Sequence, residues 1–167
     1  MTLPPTTHDA TTTPPTGLLA KVLTVSDGVI AGTREDRSGV ALVDRLTAAG
    51  LTVVAHAAVA DGIQHVGEAI VEMADDFAGL LVTTGGTGFG PRDLTPEGTR
   101  MVLDREAPGL AEAMRAVNPL GRLSRAVAGT RGATLVLNVP GSPGGAVECL
   151  EAVLDVVPHA LRLLAGD

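Results

Sequence analysis

Three aspartates at the ends of apolar runs, and a glycine-rich loop leading to an arginine, are the residues of this chain best suited to chemistry. The loop reads Thr83-Thr84-Gly85-Gly86-Thr87-Gly88-Phe89-Gly90-Pro91-Arg92-Asp93. Four glycines within residues 85–90 leave backbone N–H groups uncovered. Such a loop either bends around an anion or marks only a sharp turn. Arg92 offers a planar fork that fits a phosphate, and Asp93 suits a metal ion or a ribose hydroxyl. Pro140-Gly141-Ser142-Pro143 reads as a second anion site, since a helix start combines free N–H groups, the positive end of the dipole and here a hydroxyl. The plainer reading makes Ser142 a cap and Pro143 a first-turn residue. Asp27, Asp61 and Asp93 provide enough carboxylate for magnesium, which takes one or two of them together with water and phosphate oxygens. Asp27 precedes Gly28 in a loop. Asp61, with Gln64 three residues on, also reads as a helix cap, and Asp36 as a turn or cap residue. His8, His56, His65 and His159 lack metal-ligand spacing and read as structural or solvated; Cys149 reads as packing.

These residues need elements to bring them together, and the hydrophobic pattern provides them. Leu19–Val25 is a short apolar run of strand type, and Leu51–Ala58 and Gly79–Thr83 follow as further strands. Between them, Ser38 can cap a helix that runs through Val40, Leu42, Val43 and Leu46 and stops at Gly50. Asp61 opens a second helix to about Asp76, with Ile63, Val66, Ile70 and Met73 inward. Thr95-Pro96 signals a helix carrying Met101, Val102 and Leu103, and another covers about Gly109–Val117. Thr134–Val139 is the fourth strand, and Ser142-Pro143 opens a last helical stretch that Pro158 kinks or splits. Strands and helices alternating in this way predict an α/β fold in three layers, α/β/α, with a mostly parallel sheet and helices on both faces. Ligands of such sheets bind outside the carboxyl ends of the strands, and all the chemistry-bearing segments fall there.

Composition narrows the function. The chain has 167 residues, enough for one domain with its own core. Residues 1–17 hold seven threonines and four prolines and are expected to be a flexible tail ahead of a single domain over 18–167. The tail lacks the basic start and apolar centre of a signal peptide. The longest uncharged stretches, such as 46–60, fall short of the roughly 20 residues of a membrane span. A soluble, cytoplasmic protein is expected. One cysteine excludes an internal disulfide and a cysteine zinc cage. A net charge of −7 and only two aromatic residues argue against a nucleic-acid partner. The single lysine, Lys21, is followed by Val22, so no Walker A loop is present, and no G-x-G-x-x-G occurs. The residues alone thus point to a phosphorylated, nucleotide-like ligand with a divalent cation.

The segment Thr83–Glu97, TTGGTGFGPRDLTPE, resembles the signature of the MogA/MoaB family of molybdenum-cofactor biosynthesis proteins, also found in the G domain of gephyrin-like proteins. Val25-Ser26-Asp27, Asp36-x-Ser38-Gly39, Asp61, Leu123-Ser124-Arg125 with Ala128-Gly129, and Pro140-Gly141-Ser142-Pro143 agree in order, so the resemblance spans 18–165. It implies a magnesium-dependent molybdopterin adenylyltransferase, generally a homotrimer. Such an enzyme transfers AMP from ATP to molybdopterin, releases pyrophosphate and passes its product towards a metal-inserting enzyme. By the same resemblance Asp61 and Asp93 are the catalytic carboxylates, acting through magnesium. Gly85, Gly86, Thr87 and Gly88, joined by Pro140, Gly141 and Ser142, cradle phosphate and pterin, and Asp27 binds nucleotide or metal. Two departures stand out. Many members carry a lysine after Pro-Gly-x-Pro, where this chain has Gly144-Gly145. Many also carry Ser-Leu-Lys where it reads Met114-Arg115-Ala116-Val117, leaving Arg115 or Arg125 to compensate. The alternatives are a non-catalytic paralogue that holds molybdopterin or docks a pathway protein, and an interaction subunit acting through a trimer surface.

Overall fold

A computed structural model describes residues 17–167, so the tail expected over 1–17 lies, apart from Gly17, outside the described residues. Six strands form one sheet in the order β2-β1-β3-β6-β5-β4. These are β1 (Leu19–Val25), β2 (Thr52–Val59), β3 (Gly79–Thr84), β4 (Arg105–Glu106), β5 (Ala128–Arg131) and β6 (Thr134–Val139). The first four in spatial order run parallel, and β5 and β4 add an antiparallel edge. The helices are α1 (Asp27–Ile30), α2 (Arg37–Ala48), α3 (Ile63–Ala74), α4 (Thr95–Arg100), α5 (Pro108–Ala116), α6 (Pro143–Glu151) and α7 (Val157–Ala165). Among the described residues no helix is long and apolar enough to cross a membrane.

Side chains alternate across a strand, and the two faces of the sheet gather separate cores. Ala20, Val22, Leu80, Val82, Leu135 and Leu137 meet α2, α5, α6 and α7 in the larger one. Leu23, Val25, Leu81 and Val136 meet Val66 and Ile70 of α3 in the smaller. Burial of each such leucine or valine contributes about 1.5–3 kcal/mol. The expected three layers are therefore present. Lys21 shares the α3 face. Its ammonium donates to the carbonyl of Met73 at 2.8 Å, in the last turn of α3, and lies 4.2 Å from the centre of the Phe77 ring. A cation there complements the negative end of the helix.

Several local expectations are corrected. Strand β2 covers Thr52–Val59 rather than Leu51–Ala58 and forms a sheet edge, with Val54 50% exposed. The cap of α2 is Asp36, whose Oδ1 accepts the Gly39 N–H at 2.9 Å, in place of Ser38. Asp61 caps nothing: α3 begins after Gly62, which has φ of 130° and no side-chain cap. Thr95 is the first helical residue of α4, behind Leu94, and the helix ends at Arg100. Val102 and Leu103 reach the smaller core from the turn beyond. The short strands β4 and β5 were not expected, because two and four residues rich in Gly, Arg and Glu carry no alternation signal. Pro158 sits in the first turn of α7, and the helical stretch is split before it.

Register sets the stage for the site. Val25 pairs with Val59, Thr24 with Thr84, and Thr84 with Val139. The carboxyl ends of β2, β1, β3 and β6 thus lie side by side, and the loops leaving them converge.

Candidate active site

Glycine 85 has φ of +103° and Gly86 of +66°, a region other residues rarely adopt. A Cβ on Gly85 would stand 2.3 Å from the carbonyl oxygen of Val25, and one on Gly86 would stand 2.3 Å from Thr95 Oγ1 and 3.2 Å from Asp61 Oδ1. The glycines are needed, then, so that the loop can lie against β1, α4 and Asp61. Hydrogen bonds pin it. The Thr95 hydroxyl donates to the Gly85 carbonyl at 2.8 Å, the Gly85 N–H to Val139 at 3.1 Å, and the Thr84 hydroxyl to the Pro140 carbonyl at 2.8 Å. Beneath the loop the fully buried amide of Asn138 donates to Thr83 and Thr99 and accepts the Val127 N–H, leaving no buried polar side-chain atom unpaired among the described residues.

What the loop does not use is as informative. Among the described residues, the backbone N–H groups of Gly86, Thr87 and Gly88 donate to no protein acceptor, and neither do those of Gly141 and Ser142. All five residues line one cavity of ≈ 680 Å³, together with Asp36, Asp61 and Asp93. Ser142 is the N-cap of α6 by position, yet its hydroxyl makes no capping bond. Free donors on two loops facing one cavity suit an anion with several oxygens.

The aspartates divide. Asp27 and Asp61 exchange backbone bonds: the Asp27 N–H donates to Asp61 Oδ2 at 2.8 Å and the Asp61 N–H to Asp27 Oδ1 at 3.1 Å. Arg92 grips Asp27 with both arms of its fork, at 2.9 and 3.0 Å, and donates to the Asp61 carbonyl at 2.9 Å. The guanidinium expected to take a phosphate therefore ties three loops together. It holds the Asp27 carboxyl below its ordinary range, and the Arg92 pKa rises in return. Asp93 Oδ2 accepts the Gly90 N–H at 2.8 Å. Among the described residues, Asp61 Oδ1 and Asp93 Oδ1 accept no hydrogen bond.

Magnesium fits this donor set. Among the described residues no three acidic, histidine or cysteine side chains form a cage. Two carboxylates with free oxygens on one polar cavity leave the remaining positions to water and substrate oxygens, as this ion prefers.

Other residues take roles that the sequence did not reveal. Arg125 is a structural anchor rather than a substitute for the absent lysine. It pairs with Glu97, donates to the carbonyl of Asp93, and reaches the Gly88 carbonyl at 2.9 Å. Burial pushes the Glu97 carboxyl up, but the hydrogen bond from Arg125, a backbone hydrogen bond and the charges of Arg125 and Arg100 together outweigh it and leave that pKa lowered. Arg115 donates to the Ala126 carbonyl at 2.7 Å. Arg34 and Arg37 also line the cavity; the first lies outside every motif, and the second occupies the open position of Asp36-x-Ser38-Gly39, so neither carries a sequence signal. His56, read as structural or solvated, lies 2.8 Å from Asp36. A second cavity, of ≈ 250 Å³, shares Pro140 and Ser142 with the first and is lined by Met114, Asn118, Glu148 and Cys149 among others. Burial raises the Cys149 thiol pKa, with Glu148 adding to it, which suits packing.

Known proteins resemble the chain over most of its length. Residues 21–159 match the family model described as "Probable molybdopterin binding domain". The chain is 38% identical over 153 residues to the molybdopterin adenylyltransferase of Helicobacter pylori, covering 87% of each protein. With the molybdopterin adenylyltransferase of Escherichia coli it shares 34% identity over 164 residues, 87% of this chain and 84% of that protein. The crystal structure of the molybdopterin biosynthesis enzyme MoaB from Thermus thermophilus superposes with a TM-score of 0.83 at 47% identity, covering 90% of this chain and 98% of that one.

Proposed function

The chain belongs to the molybdopterin-binding family that includes the MogA and MoaB proteins, and from that membership we infer that it is a molybdopterin adenylyltransferase. The reaction joins AMP from ATP to the terminal phosphate of molybdopterin. An oxygen of that phosphate attacks the α-phosphorus in line, the bond to the β-bridging oxygen breaks, and pyrophosphate leaves. The nucleophile is already ionised, so no side chain has to remove a proton. What the protein must supply is alignment of two polyanions and neutralisation of their charge.

The observation that carries the reading is the set of five unpaired N–H groups, from Gly86, Thr87, Gly88, Gly141 and Ser142, on the same cavity as Asp61 and Asp93. The N–H groups bind phosphate oxygens; Gly85 and Pro140 give the two loops their shape. Carboxylates beside a polyphosphate would repel it unless a cation lay between. Asp61 and Asp93 would hold magnesium there, where it supplies charge neutralisation. Asp27 serves the nucleotide side by fixing Asp61 through the paired backbone bonds, with Arg92 locking both.

Asp61→Asn and Asp93→Asn test this. Each asparagine oxygen can still accept its backbone N–H, so the fold is kept. Pyrophosphate release from magnesium ATP and molybdopterin should fall at least about 100-fold in either variant. Turnover that survives both substitutions removes these residues from the chemistry. One observation favours a second reading, a carrier that binds without reacting: at Gly144, where the family resemblance leads one to expect a lysine, the chain offers no positive charge and nothing lies within 4 Å of where a Cβ would stand. Tight molybdopterin binding by the wild type with no pyrophosphate would select that reading. A homotrimer, a cytoplasmic setting and delivery of product to a metal-inserting enzyme complete the proposal; sedimentation of the purified chain checks the first.

A further inference from the structure

The segment after α1 and the first residue of α2 bring two cations to the cavity that, among the described residues, no carboxylate holds. Arg92 is committed to Asp27 and Arg125 to Glu97, whereas Arg34 and Arg37 enter no ion pair among the described residues. Glu35 and Asp36 lie between them and line the same cavity. The four charges sum to zero, so placement rather than net charge decides whether an anion meets the guanidiniums.

Asp36 sets that placement. Its Oδ1 accepts the Gly39 N–H at 2.9 Å, while Oδ2 accepts the Thr24 hydroxyl at 2.7 Å and lies 2.8 Å from His56 Nε2. An ionised carboxylate only accepts, so Nε2 carries the proton in this pair. Thr24 belongs to β1 and His56 to β2, and one carboxylate therefore staples the segment to two neighbouring strands. Gly39 is what lets the three side chains meet. A Cβ there would stand 2.4 Å from each of Asp36 Oδ2, His56 Nε2 and Thr24 Oγ1. Around Asp36 the segment is exposed, and its other ties are local bonds such as those of the Thr33 and Arg34 N–H groups to the Gly28 carbonyl at 2.9 and 3.1 Å.

We propose that His56 is a positioning residue: by holding Asp36 it keeps Arg34 and Arg37 at the cavity as a cationic clamp for the polyphosphate of the nucleotide. A segment ordered in advance does not lose its freedom again on binding, so the staple shows in affinity for ATP. The proposal rests on the adenylyltransferase reading, and its test separates the two. KM for ATP and kcat are measured for wild type, His56→Ala, His56→Gln and the double variant Arg34→Ala with Arg37→Ala. Exchange of the Gly39 amide proton, whose acceptor is Asp36, is followed by NMR as a readout independent of turnover. His56→Ala should raise KM for ATP about 5- to 10-fold with kcat within about twofold, and speed Gly39 exchange about 10-fold. His56→Gln can still donate to Asp36 and should recover most of both. The double arginine variant should show the KM defect without the exchange defect. Unchanged KM in His56→Ala or in the double variant, unchanged exchange in His56→Ala, or a glutamine that behaves as alanine overturns the proposal. A wild type that binds ATP but turns nothing over defeats only the adenylyltransferase reading; calorimetric ATP affinities of the same variants then decide His56, and an unchanged affinity overturns it. A wild type that does not bind ATP overturns both.

Discussion

Arginine 125 and Arg92 are both paired with carboxylates, and those partners determine how the site responds to acid. Glu97 is the clearer case. Burial raises its carboxyl, but the hydrogen bond from Arg125, a backbone hydrogen bond and the nearby charges of Arg125 and Arg100 together bring it below the ordinary value of 4.5. A carboxyl depressed in the folded state contributes stability that is complete above pH 4.5 and is lost as pH falls through the lower folded value. The wild type should therefore lose melting temperature more steeply in that acid range than Glu97→Gln. Thermal melts from neutral pH down to about pH 3 check this, and parallel curves would show that the pair carries no linkage. The Asp27 carboxyl shifts the same way, but it is exposed and its pairing is screened by water. Neither pairing could be read from spacing alone, since Arg92 and Asp27 are 65 residues apart and Arg125 and Glu97 are 28 apart. The aspartates and glycines could be singled out because their types are unusual at strand ends. The partners of the arginines depend on where four loops meet.

At the scale of elements, turn chemistry was legible where a residue type has one conformational meaning and misleading where it has two. Gly50, with φ of +87°, ends α2 as expected. Asp36, Ser38, Asp61 and Thr95 can all cap a helix, and only the first does so with its side chain. The others serve packing or the site, as when the Thr95 hydroxyl turns back to the glycine loop. Two glycines make the distinction measurable. Gly86 combines φ of +66° with a neighbouring oxygen 2.3 Å from where a Cβ would be, whereas Gly144 lies in α6 with nothing within 4 Å. Gly86→Ala should destabilise by about 2–4 kcal/mol. Gly144→Ala should be neutral or stabilise by up to about 1 kcal/mol through helix propensity. Denaturant melts of the two variants decide it, and equal effects would mean that the loop adapts freely.

The whole molecule separates holding together from acting. Every loop that lines the cavity of ≈ 680 Å³ lies beyond the carboxyl ends of the strands, while Lys21 fastens the far end of α3 over Phe77. Lys21→Met should remove about 1–2 kcal/mol, lowering the melting temperature by roughly 2–8 °C, with kcat and KM unchanged. A kinetic defect in that variant would mean that the two ends communicate. The architecture at this scale was the most legible part of the sequence, because continuous apolar strands alternating with amphipathic helices admit few arrangements. The antiparallel edge escaped notice, since β4 and β5 are too short to show a period. One consequence of the same composition is optical. With no tryptophan or tyrosine, and only Phe77 under Lys21 and Phe89 exposed on the glycine loop, the protein is almost dark in fluorescence. The emission of a pterin can then be followed at the cavity without subtraction. An indole introduced by Phe89→Trp would be the one lamp in the chain, exposed on the glycine loop next to Gly88, which lines the cavity.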